Sequence, residues 1–529
     1  MWGPDLRTLL SACATTGPEA LEECEGQFVA IYADHEGAVH IVNDRFSSRP
    51  LYLLRTNQGT YFSSNLGFLL AFSHVSHRPD PIGWLQASAF AHTLGKRTTA
   101  EGVERLRPAT HLTVTAERVI ERQYWCLQHR PIAALDPAVH SEEVFQTFQT
   151  GTQRFARLAD KGILALSGGL DSRLIAGALP GGYEAFTFVD KPEVDSTCET
   201  RAAAEVCSAL GLRHRIEKLP AGFADPHSVI ALTGGMRPYQ HIAIVMAYVD
   251  EMRRRHVDFL LGGGPGDSLA GAFVPSAAYV DPAQTTECIE DACQRYLSVG
   301  ESWSTVFRDD VIDAGRRAVC DELAESFANV QGPTAAHRVT AWAMVYRQSA
   351  FTFTSLMHTH PDVTEAACHL DYRYVDLMLQ LPASWLYRRA FYSFMIYSAL
   401  PSLRHVPYAN TGSLLSGEPP AEDVVVAKPL KPRFDATISR GRSFARRAVR
   451  AFIPARGYAP SMIFRNESLL DEVEERFHSI ALLRDILDVR RCEKFLARTR
   501  AGSCPSEEML GALTSLCLSA AVFPNPPSR

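Results

Sequence analysis

Residues 163–179, ILALSGGLDSRLIAGAL, constrain the fold more than any other part of this chain. The first four residues are apolar and predict a buried strand. Two glycines then predict a tight turn, and residues 170–179 have helical spacing before the Pro-Gly-Gly breaker. A strand that turns directly into a helix leaves unpaired backbone N–H groups and the positive end of the helix dipole at the turn. The stretch therefore predicts an anion-binding loop.

The side chains of this loop indicate how it would hold a phosphate. Gly168 and Gly169 carry no side chain that would keep the backbone amides away from a ligand. Ser167 and Ser172 add hydroxyl donors. Asp171 would repel a bare phosphate, so we expect its carboxylate to hold a magnesium ion that bridges to the phosphate.

The sequence SGGLDS at 167–172 resembles the pyrophosphate loop of the ATP pyrophosphatase superfamily, whose members cleave ATP to AMP and pyrophosphate. The alternative is an ordinary glycine-rich turn before a helix. The loop is not a Walker loop, since no G-x-x-x-x-G-K-[ST] sequence occurs. The resemblance implies ATP and Mg²⁺ as cofactors. It also implies that Leu166 and Val189 flank the adenine, although two core residues of a parallel sheet would be equally apolar.

The chain after this loop alternates strands and helices. Strand-like segments occupy residues 183–189, 213–216 and 257–261, and a capping box at 196–199 opens a helix between the first two. This alternation predicts a parallel sheet with crossover helices. Ligands of such sheets bind at the carboxyl ends of the strands, where the SGGLDS turn falls.

A second glycine-rich segment follows the strand at 257–261. Its sequence, GGGPGDSL, is similar to the S-G-E-G-x-D-E-L segment of the asparagine synthetase B family. The resemblance implies that Asp267 is the second magnesium ligand, opposite Asp171, and that Gly262 and Gly263 border the ATP. Gly264 replaces the family's glutamate, so the resemblance leaves the catalytic base unnamed.

The N-terminal segment resembles the glutamine amidotransferase domain of asparagine synthetase. It has a G-x-F strand, the turn DRFSSRPLY at 44–52 and an F-x-S strand end, with Ser48 in place of the usual glycine. Glutaminases of this type use a cysteine at position 2, with its freed α-amine as base. Here position 2 is Trp2, and Cys13 and Cys24 are internal. We therefore expect a structural domain that does not hydrolyse glutamine.

The remaining segments complete the predicted organisation. Residues 126–140 are interpreted as a linker, with an amphipathic helix beginning at Ser141. Residues 364–373 and 381–382 resemble the family's R-x-P-F-L-D … L-P segment. Asp371 is expected to cap the next helix. Glu365 is a candidate general base, with a solvated carboxylate as the alternative.

The resemblance also directs attention to a late lysine that stabilises charge at the reacting centre. Lys428 is the candidate, together with Lys431, in a basic segment at 428–456. That segment is either a solvated face or a contact surface for an acidic partner. Tyr392, Arg404 and His405 are further residues that could reach the site.

The composition and charge of the chain limit the classes of binding partner that we expect. The net charge of −6 over 529 residues gives no nucleic-acid signal, and no apolar run is long enough to span a membrane. The N-terminus lacks the zones of a signal peptide, and the scattered cysteines contain no C-x-x-C motif. We therefore expect a cytoplasmic protein without nucleic-acid or membrane partners.

The resemblance implies an α/β protein of two domains. Residues 1–128 would form a degenerate Ntn-amidotransferase-like β-rich (αββα) domain. Residues 141–529 would form a doubly wound parallel-sheet ATP-pyrophosphatase domain with additional helices.

The implied activity is that of the asparagine synthetase B branch without a glutaminase nucleophile, which includes β-lactam synthetases and lasso-peptide cyclases. Such an enzyme adenylates a carboxylate on a small molecule or peptide, and an amine then forms the amide; a partner protein or precursor peptide could take part. The alternatives are an asparagine synthetase-like enzyme that uses free ammonia or an external glutaminase, and a non-catalytic scaffold that binds partners.

Overall fold

The computed structural model describes residues 6–72, 77–158, 162–189, 198–218, 225–236, 238–257, 259–353, 363–421, 424 and 466–520. Lys428, Lys431 and the basic segment lie outside these residues. The described strands are β1 Val29–Ala33, β2 Val39–Asn43, β3 Tyr52–Thr56, β4 Gly59–Ser63, β5 Val103–Arg105, β6 Thr110–Val114, β7 Val119–Gln123, β8 Gly162–Ala165, β9 Glu184–Val189, β10 Arg213–Lys218, β11 Phe259–Gly262 and β12 Thr364–Ala367.

The described α-helices run through both halves of the chain and dominate its later part. They are α1 Leu6–Thr16, α2 Leu66–Phe72, α3 Pro81–Phe90, α4 Pro137–Ala156, α5 Leu170–Ala178, α6 Cys198–Leu210, α7 Pro226–Thr233, α8 Gln240–Arg254, α9 Gly266–Leu269, α10 Thr285–Leu297, α11 Asp309–Ala328, α12 Ala335–Trp342, α13 Tyr372–Met378, α14 Ala383–Leu386, α15 Ala390–Ala399, α16 Glu467–Ser479, α17 Ala481–Arg484, α18 Val489–Arg500 and α19 Glu507–Ser519. Within the described ranges, no helix is long and apolar enough to cross a membrane.

The N-terminal part is rich in β-structure and layered. One described sheet has the order β1-β2-β6-β7 and the other has the order β4-β3-β5, with antiparallel pairing throughout. Ile41, Leu53 and Leu112 pack between the two sheets. Helix α1 covers the outer face of the first sheet and α2 covers that of the second. The layers therefore follow the predicted order of helix, sheet, sheet and helix.

The turn at 44–52 corrects one expectation. Ser47 has a positive φ of 50°, so Ser47 and not Ser48 occupies the position that favours glycine. Ser48 instead supports the buried Asp44, because its hydroxyl donates to Asp44 Oδ2 at 2.7 Å and its backbone N–H donates to the same carboxylate. The expectation that Ser48 replaces the glycine was wrong, since the Ser48 side chain is needed for the hydrogen bond to Asp44.

The predicted linker also ends earlier than expected. Helix α4 begins at Pro137, where Asp136 accepts hydrogen bonds from the N–H groups of Ala138 and Val139 at 2.8 and 3.0 Å. Asp136 is thus an N-cap, and the following proline is well suited to the first helical position. The start at Ser141 was wrong because the Asp-Pro pair was interpreted as a loop.

The C-terminal part contains a parallel sheet. Its described strands have the order β10-β9-β8-β11-β12, and all four pairings are parallel. Val206 of α6 and Leu174 of α5 pack on one face, and Val249 of α8 packs on the other. The strand order reverses between β8 and β11, which creates a crevice outside the carboxyl ends of these two strands.

Both parts of the chain share one core. Trp84 and Leu85 of α3 belong to the same buried cluster as residues of the parallel sheet and the C-terminal helices. Arg45 adds a polar contact. Its guanidinium lies 4.2 Å from the centre of the Tyr372 ring, and the backbone N–H of Arg45 donates to the Tyr372 hydroxyl. This packing brings the N-terminal sheets against the side of the parallel sheet.

Candidate active site

Two glycine-rich loops meet at the strand reversal. One loop follows β8 and leads into α5, and the other follows β11 and leads into α9. The backbone N–H of Asp267 donates to Oδ2 of Asp171 at 3.0 Å. The structure therefore brings together Asp171 and Asp267, the two residues that the resemblance implied as a pair of metal ligands. Their role as ligands stays a prediction.

The serines of the first loop bond to one another. Ser167 Oγ accepts the N–H of Gly169 at 3.1 Å and lies 3.0 Å from Ser172 Oγ. The N–H of Ser167 donates to Ser172 Oγ at 3.1 Å. The two hydroxyls therefore stabilise the turn, whereas the sequence predicted them as donors to a phosphate.

The first loop is covered by residues 406–409. A Cβ on Gly168 would lie 2.4 Å from the Cβ of Ala409, and the N–H of Ala409 donates to the Gly168 carbonyl at 3.2 Å. Arg173, which is fully buried, donates to the carbonyls of Val406 and Pro407 at 3.0 and 2.8 Å. Gly168 therefore permits a close approach of this segment, and Arg173 fixes it. The sequence signal for this contact was a charged residue directly before the apolar run Leu174-Ile175-Ala176.

Asp171 has unusual electrostatics. Burial, followed by the charge of Asp267, raises the pKa of Asp171 to about 7, while Arg389 and Tyr392 oppose the increase. Its Oδ1 atom is buried and has no hydrogen-bond partner among the described residues. Two adjacent carboxylates and an unpartnered oxygen make this a place where a cation would lower the free energy.

Two glycines pack closely against Asp171. A Cβ on Gly266 would lie 2.9 Å from Asp171 Oδ1, and one on Gly263 would lie 3.3 Å from Asp171 Cβ. Glycine at both positions keeps side chains away from the carboxylate. In the part of the chain that the structure describes, no group of three or more His, Cys, Asp or Glu forms a metal site. Magnesium held here by Asp171 and Asp267 would take its other ligands from water and phosphate.

Arg389, Tyr392 and His369 complete the surroundings of Asp171. His369 Nε2 lies 3.0 Å from the Tyr392 hydroxyl, and burial lowers the pKa of His369 to about 3, so the imidazole stays neutral. A Cβ on Gly266 would lie 2.5 Å from the His369 ring. Of these three residues only Tyr392 was predicted to reach the site. His369 lies within the motif-like segment 364–373 but replaces the family's residue there, and Arg389 belongs to no motif.

Arg404 and His405 do not join this group, because both are exposed. The guanidinium of Arg404 lies 4.5 Å from the centre of the Tyr397 ring. Asp371 is confirmed as a helix cap, accepting the N–H groups of Arg373 and Tyr374 at 3.1 and 3.2 Å.

Glu365 is the second residue of the neighbouring strand, β12. A Cβ on Gly262 would lie 1.9 Å from Glu365 Oε1, so the carboxyl packs directly on that glycine. Burial raises the pKa of Glu365 to about 7. Glu365 is nevertheless partly exposed, so its role as a general base and the alternative of a solvated carboxylate both stay predictions. Gly262 faces Glu365, whereas Gly263 faces Asp171.

Leu166 and Val189 are both buried at the strand ends. The N–H of Leu166 donates to the Phe186 carbonyl at 2.9 Å, and its carbonyl accepts the Thr187 hydroxyl at 2.8 Å. These bonds hold the end of β8 against β9. The proposed contact with adenine stays a prediction for both residues.

The fold and site together define a two-part α/β protein with a sheet-rich N-terminal domain and paired carboxylates at a parallel-sheet crevice. In comparison with known families, residues 4–125 match the glutamine amidotransferase domain. This match fits an asparagine synthetase-like family and confirms the predicted resemblance of the N-terminal segment. A search of curated proteins found no match to the chain.

Proposed function

We propose that this protein is an ATP-dependent ligase that forms amide bonds. It would adenylate a substrate carboxylate, release pyrophosphate and allow an amine to displace AMP. The observation that carries this proposal is the contact between Asp171 and Asp267 beside a glycine-rich turn at the strand reversal. This is where an open α/β sheet binds ligands, and the unpartnered Asp171 Oδ1 calls for a cation there.

The chain's own residues would have distinct roles. Asp171 and Asp267 would hold Mg²⁺, and the backbone amides at 168–172 would bind pyrophosphate at the start of α5. When bound, Mg²⁺ would neutralise charge on the phosphates and on the leaving pyrophosphate. Arg389, whose charge lowers the pKa of Asp171, would add positive charge at the same place. Lys428 is proposed as a further cation.

The substrate assignments rest on the resemblance to asparagine synthetase-like proteins. We propose residues 1–128 as a structural amidotransferase-like domain and residues 141–529 as the ATP-pyrophosphatase domain. The acyl substrate would be a carboxylate on a small molecule or a peptide, as in β-lactam-type or lasso-type cyclisation. Glu365, with its pKa near 7, has the acid–base character that a group accepting a proton from the amine requires.

The test is ATP–pyrophosphate exchange with a panel of carboxylic acids and peptides, in the presence and absence of amines. Exchange should depend on Mg²⁺ and on one class of acid. Asp171→Ala should lower the exchange rate by about a thousandfold or more, because it removes a metal ligand. Asp313→Ala, at an exposed position on α11, is the matched control and should retain the rate. Absence of Mg-ATP binding in the unaltered protein would overturn the proposal.

A further inference from the structure

A cavity lies where the N-terminal sheet meets the side of the parallel sheet. Its volume is about 360 Å³, which is within the range of small-molecule sites. One wall comes from α1 and β1, and the other comes from the end of α4 and from β11 and β12. Most of the lining side chains are apolar, among them Leu9, Leu21, Phe28, Phe155 and Phe259.

Exposed apolar side chains also line this cavity. Leu10, Ile31 and Leu158 are 47%, 53% and 52% exposed, and all three belong to its walls. Large apolar side chains that are left in water around one concave site indicate a surface that a ligand covers. The apolar body of a ligand would therefore be stabilised both inside the cavity and at its mouth.

The charged residues of the cavity leave one carboxylate unpaired. Glu25 pairs with Arg373 at 3.6 Å. Burial lowers the pKa of Arg49, and the nearby charge of Asp44 partly offsets this effect. Glu365 is partly exposed, and among the described residues its carboxylate has no hydrogen-bond or ion-pair partner. A ligand with a positive charge would supply the partner that this carboxylate lacks.

A neutral donor accompanies the carboxylate. Gln27 lines the cavity, and its Oε1 accepts the N–H of Ala367 at 3.4 Å. Its Nε2 atom is buried and has no hydrogen-bond partner among the described residues. A buried N–H group without a partner costs free energy, so a ligand oxygen that accepts from it would be favoured.

We infer that this cavity binds an apolar primary amine with a carbonyl oxygen next to the amine, as in the amide of an apolar amino acid. The ammonium would pair with Glu365, the carbonyl would accept from Gln27 Nε2, and the apolar side chain would fill the cavity. As an extension that rests on the proposed function, this amine would be the one that attacks the activated carboxylate.

The position of Glu365 suits that extension. Glu365 packs on Gly262, and the next residue, Gly263, borders Asp171. The ammonium would give one proton to the Glu365 carboxylate. The nitrogen lone pair would then form the C–N bond as the acyl C–O bond breaks, the electron pair would leave on AMP, and the second nitrogen proton would pass to water. This sequence needs no other reactant.

The test measures binding to the full chain without ATP or Mg²⁺, by isothermal titration calorimetry at pH 7.5. L-leucinamide carries the amine, the carbonyl and an apolar side chain, whereas 4-methylpentanamide lacks the amine and 3-methylbutylamine lacks the carbonyl. L-leucinamide should bind at least about tenfold more tightly than either, because each comparison removes one hydrogen bond to a buried group. Glu365→Gln should remove the advantage over 4-methylpentanamide.

A matched pair of variants tests the apolar wall. Ile31 and Ile120 lie on β1 and β7, the two edge strands of one sheet, and are 53% and 42% exposed, but only Ile31 lines the cavity. Ile31→Ser should weaken binding of all three probes several-fold, and Ile120→Ser should leave it unchanged. Both substitutions are at exposed positions, so both variants should fold.

Two outcomes would overturn the inference. One is the absence of saturable L-leucinamide binding, and the other is equal binding of L-leucinamide and 4-methylpentanamide. If L-leucinamide binds as expected but the protein shows no pyrophosphate exchange, the proposed ligase activity fails and the cavity assignment stands. If exchange occurs and the amine does not bind, the cavity assignment alone fails.

Discussion

The backbone N–H of Asp267 donates to Oδ2 of Asp171 across a chain separation of 96 residues. The contact exists because β8 and β11 are neighbours at the strand reversal, so the loops that follow them share one crevice. It occupies one carboxylate oxygen and leaves Oδ1 unpartnered among the described residues. The candidate site is therefore organised around a buried carboxylate that is held in place but not neutralised.

Magnesium should stabilise the protein through Asp171. At pH 8, MgCl₂ at saturating concentration should raise the melting temperature by about 2–5 °C, since a ligand that binds only the folded state stabilises it. Asp171→Asn should abolish this increase. The measurement is differential scanning fluorimetry with and without metal.

The same variant should be more stable than the unaltered protein when metal is absent. The pKa of Asp171 is raised in the folded state, so its ionisation destabilises the fold as pH increases from about 4 to about 7 and remains unfavourable above that range. Asp171→Asn should therefore raise the metal-free melting temperature at pH 8. Asp313→Asn should neither raise the metal-free melting temperature nor abolish the increase with MgCl₂. A melting temperature that still rises with metal in Asp171→Asn would contradict the role of Asp171 as a metal ligand.

Gly168→Ala should disturb the loop at 406–409. The added methyl would lie 2.4 Å from Ala409 Cβ and 3.0 Å from Glu199 Cα, so the variant should lose about 1–3 kcal/mol in free energy of unfolding. Gly181→Ala is the control, because its Cβ would meet nothing within 4 Å. Urea denaturation of both variants checks the difference. Equal stabilities would show that the 406–409 segment does not press on the turn.

Glu365→Gln should change the dependence of stability on pH. The folded-state pKa of Glu365 is about 7, above the usual 4.5, so the destabilisation from its charge is absent below about pH 4.5, grows towards pH 7 and is complete above it. The variant should exceed the unaltered protein by up to about 3 kcal/mol at pH 8 and match it near pH 4.5.

Urea denaturation at both pH values measures this difference. Glu290→Gln, at an exposed position on α10, should show no such dependence on pH. A Glu365→Gln variant that is less stable than the unaltered protein at pH 8 would indicate that the carboxylate has a favourable partner.

The two serines of the turn at 44–52 should respond in opposite ways to glycine. Ser47→Gly should stabilise the protein by up to about 1 kcal/mol, because Ser47 has a positive φ of 50°. Ser48→Gly should destabilise it by about 1–3 kcal/mol, because the hydroxyl that donates to the buried Asp44 is lost. Thermal unfolding of the two variants measures both effects. If Ser48→Gly were the more stable variant, Ser48 would be the residue that replaces the family's glycine.

Local sequence patterns anticipated much of the scaffold. The apolar run and helical spacing at 163–179 correspond to β8 and α5, and Asp371 caps the helix that follows it. The errors arose where one residue type serves two purposes. Asp136-Pro137 indicates a loop as readily as a helix start, and two consecutive serines do not show which of them has the positive φ.

The resemblance to a known family named Asp171 and Asp267 as a candidate pair. The sequence by itself determined the strand–turn–helix unit and the alternation of strands and helices. These features depend on periodicity and short motifs, which neighbouring residues specify. Only the tertiary structure decided that Arg389, Tyr392 and His369 surround Asp171, that Arg173 anchors residues 406–409, and that Glu365 faces an interdomain cavity. Burial and long-range contact set these relationships, because a side chain's partners and pKa depend on which distant segments the packed core brings beside it.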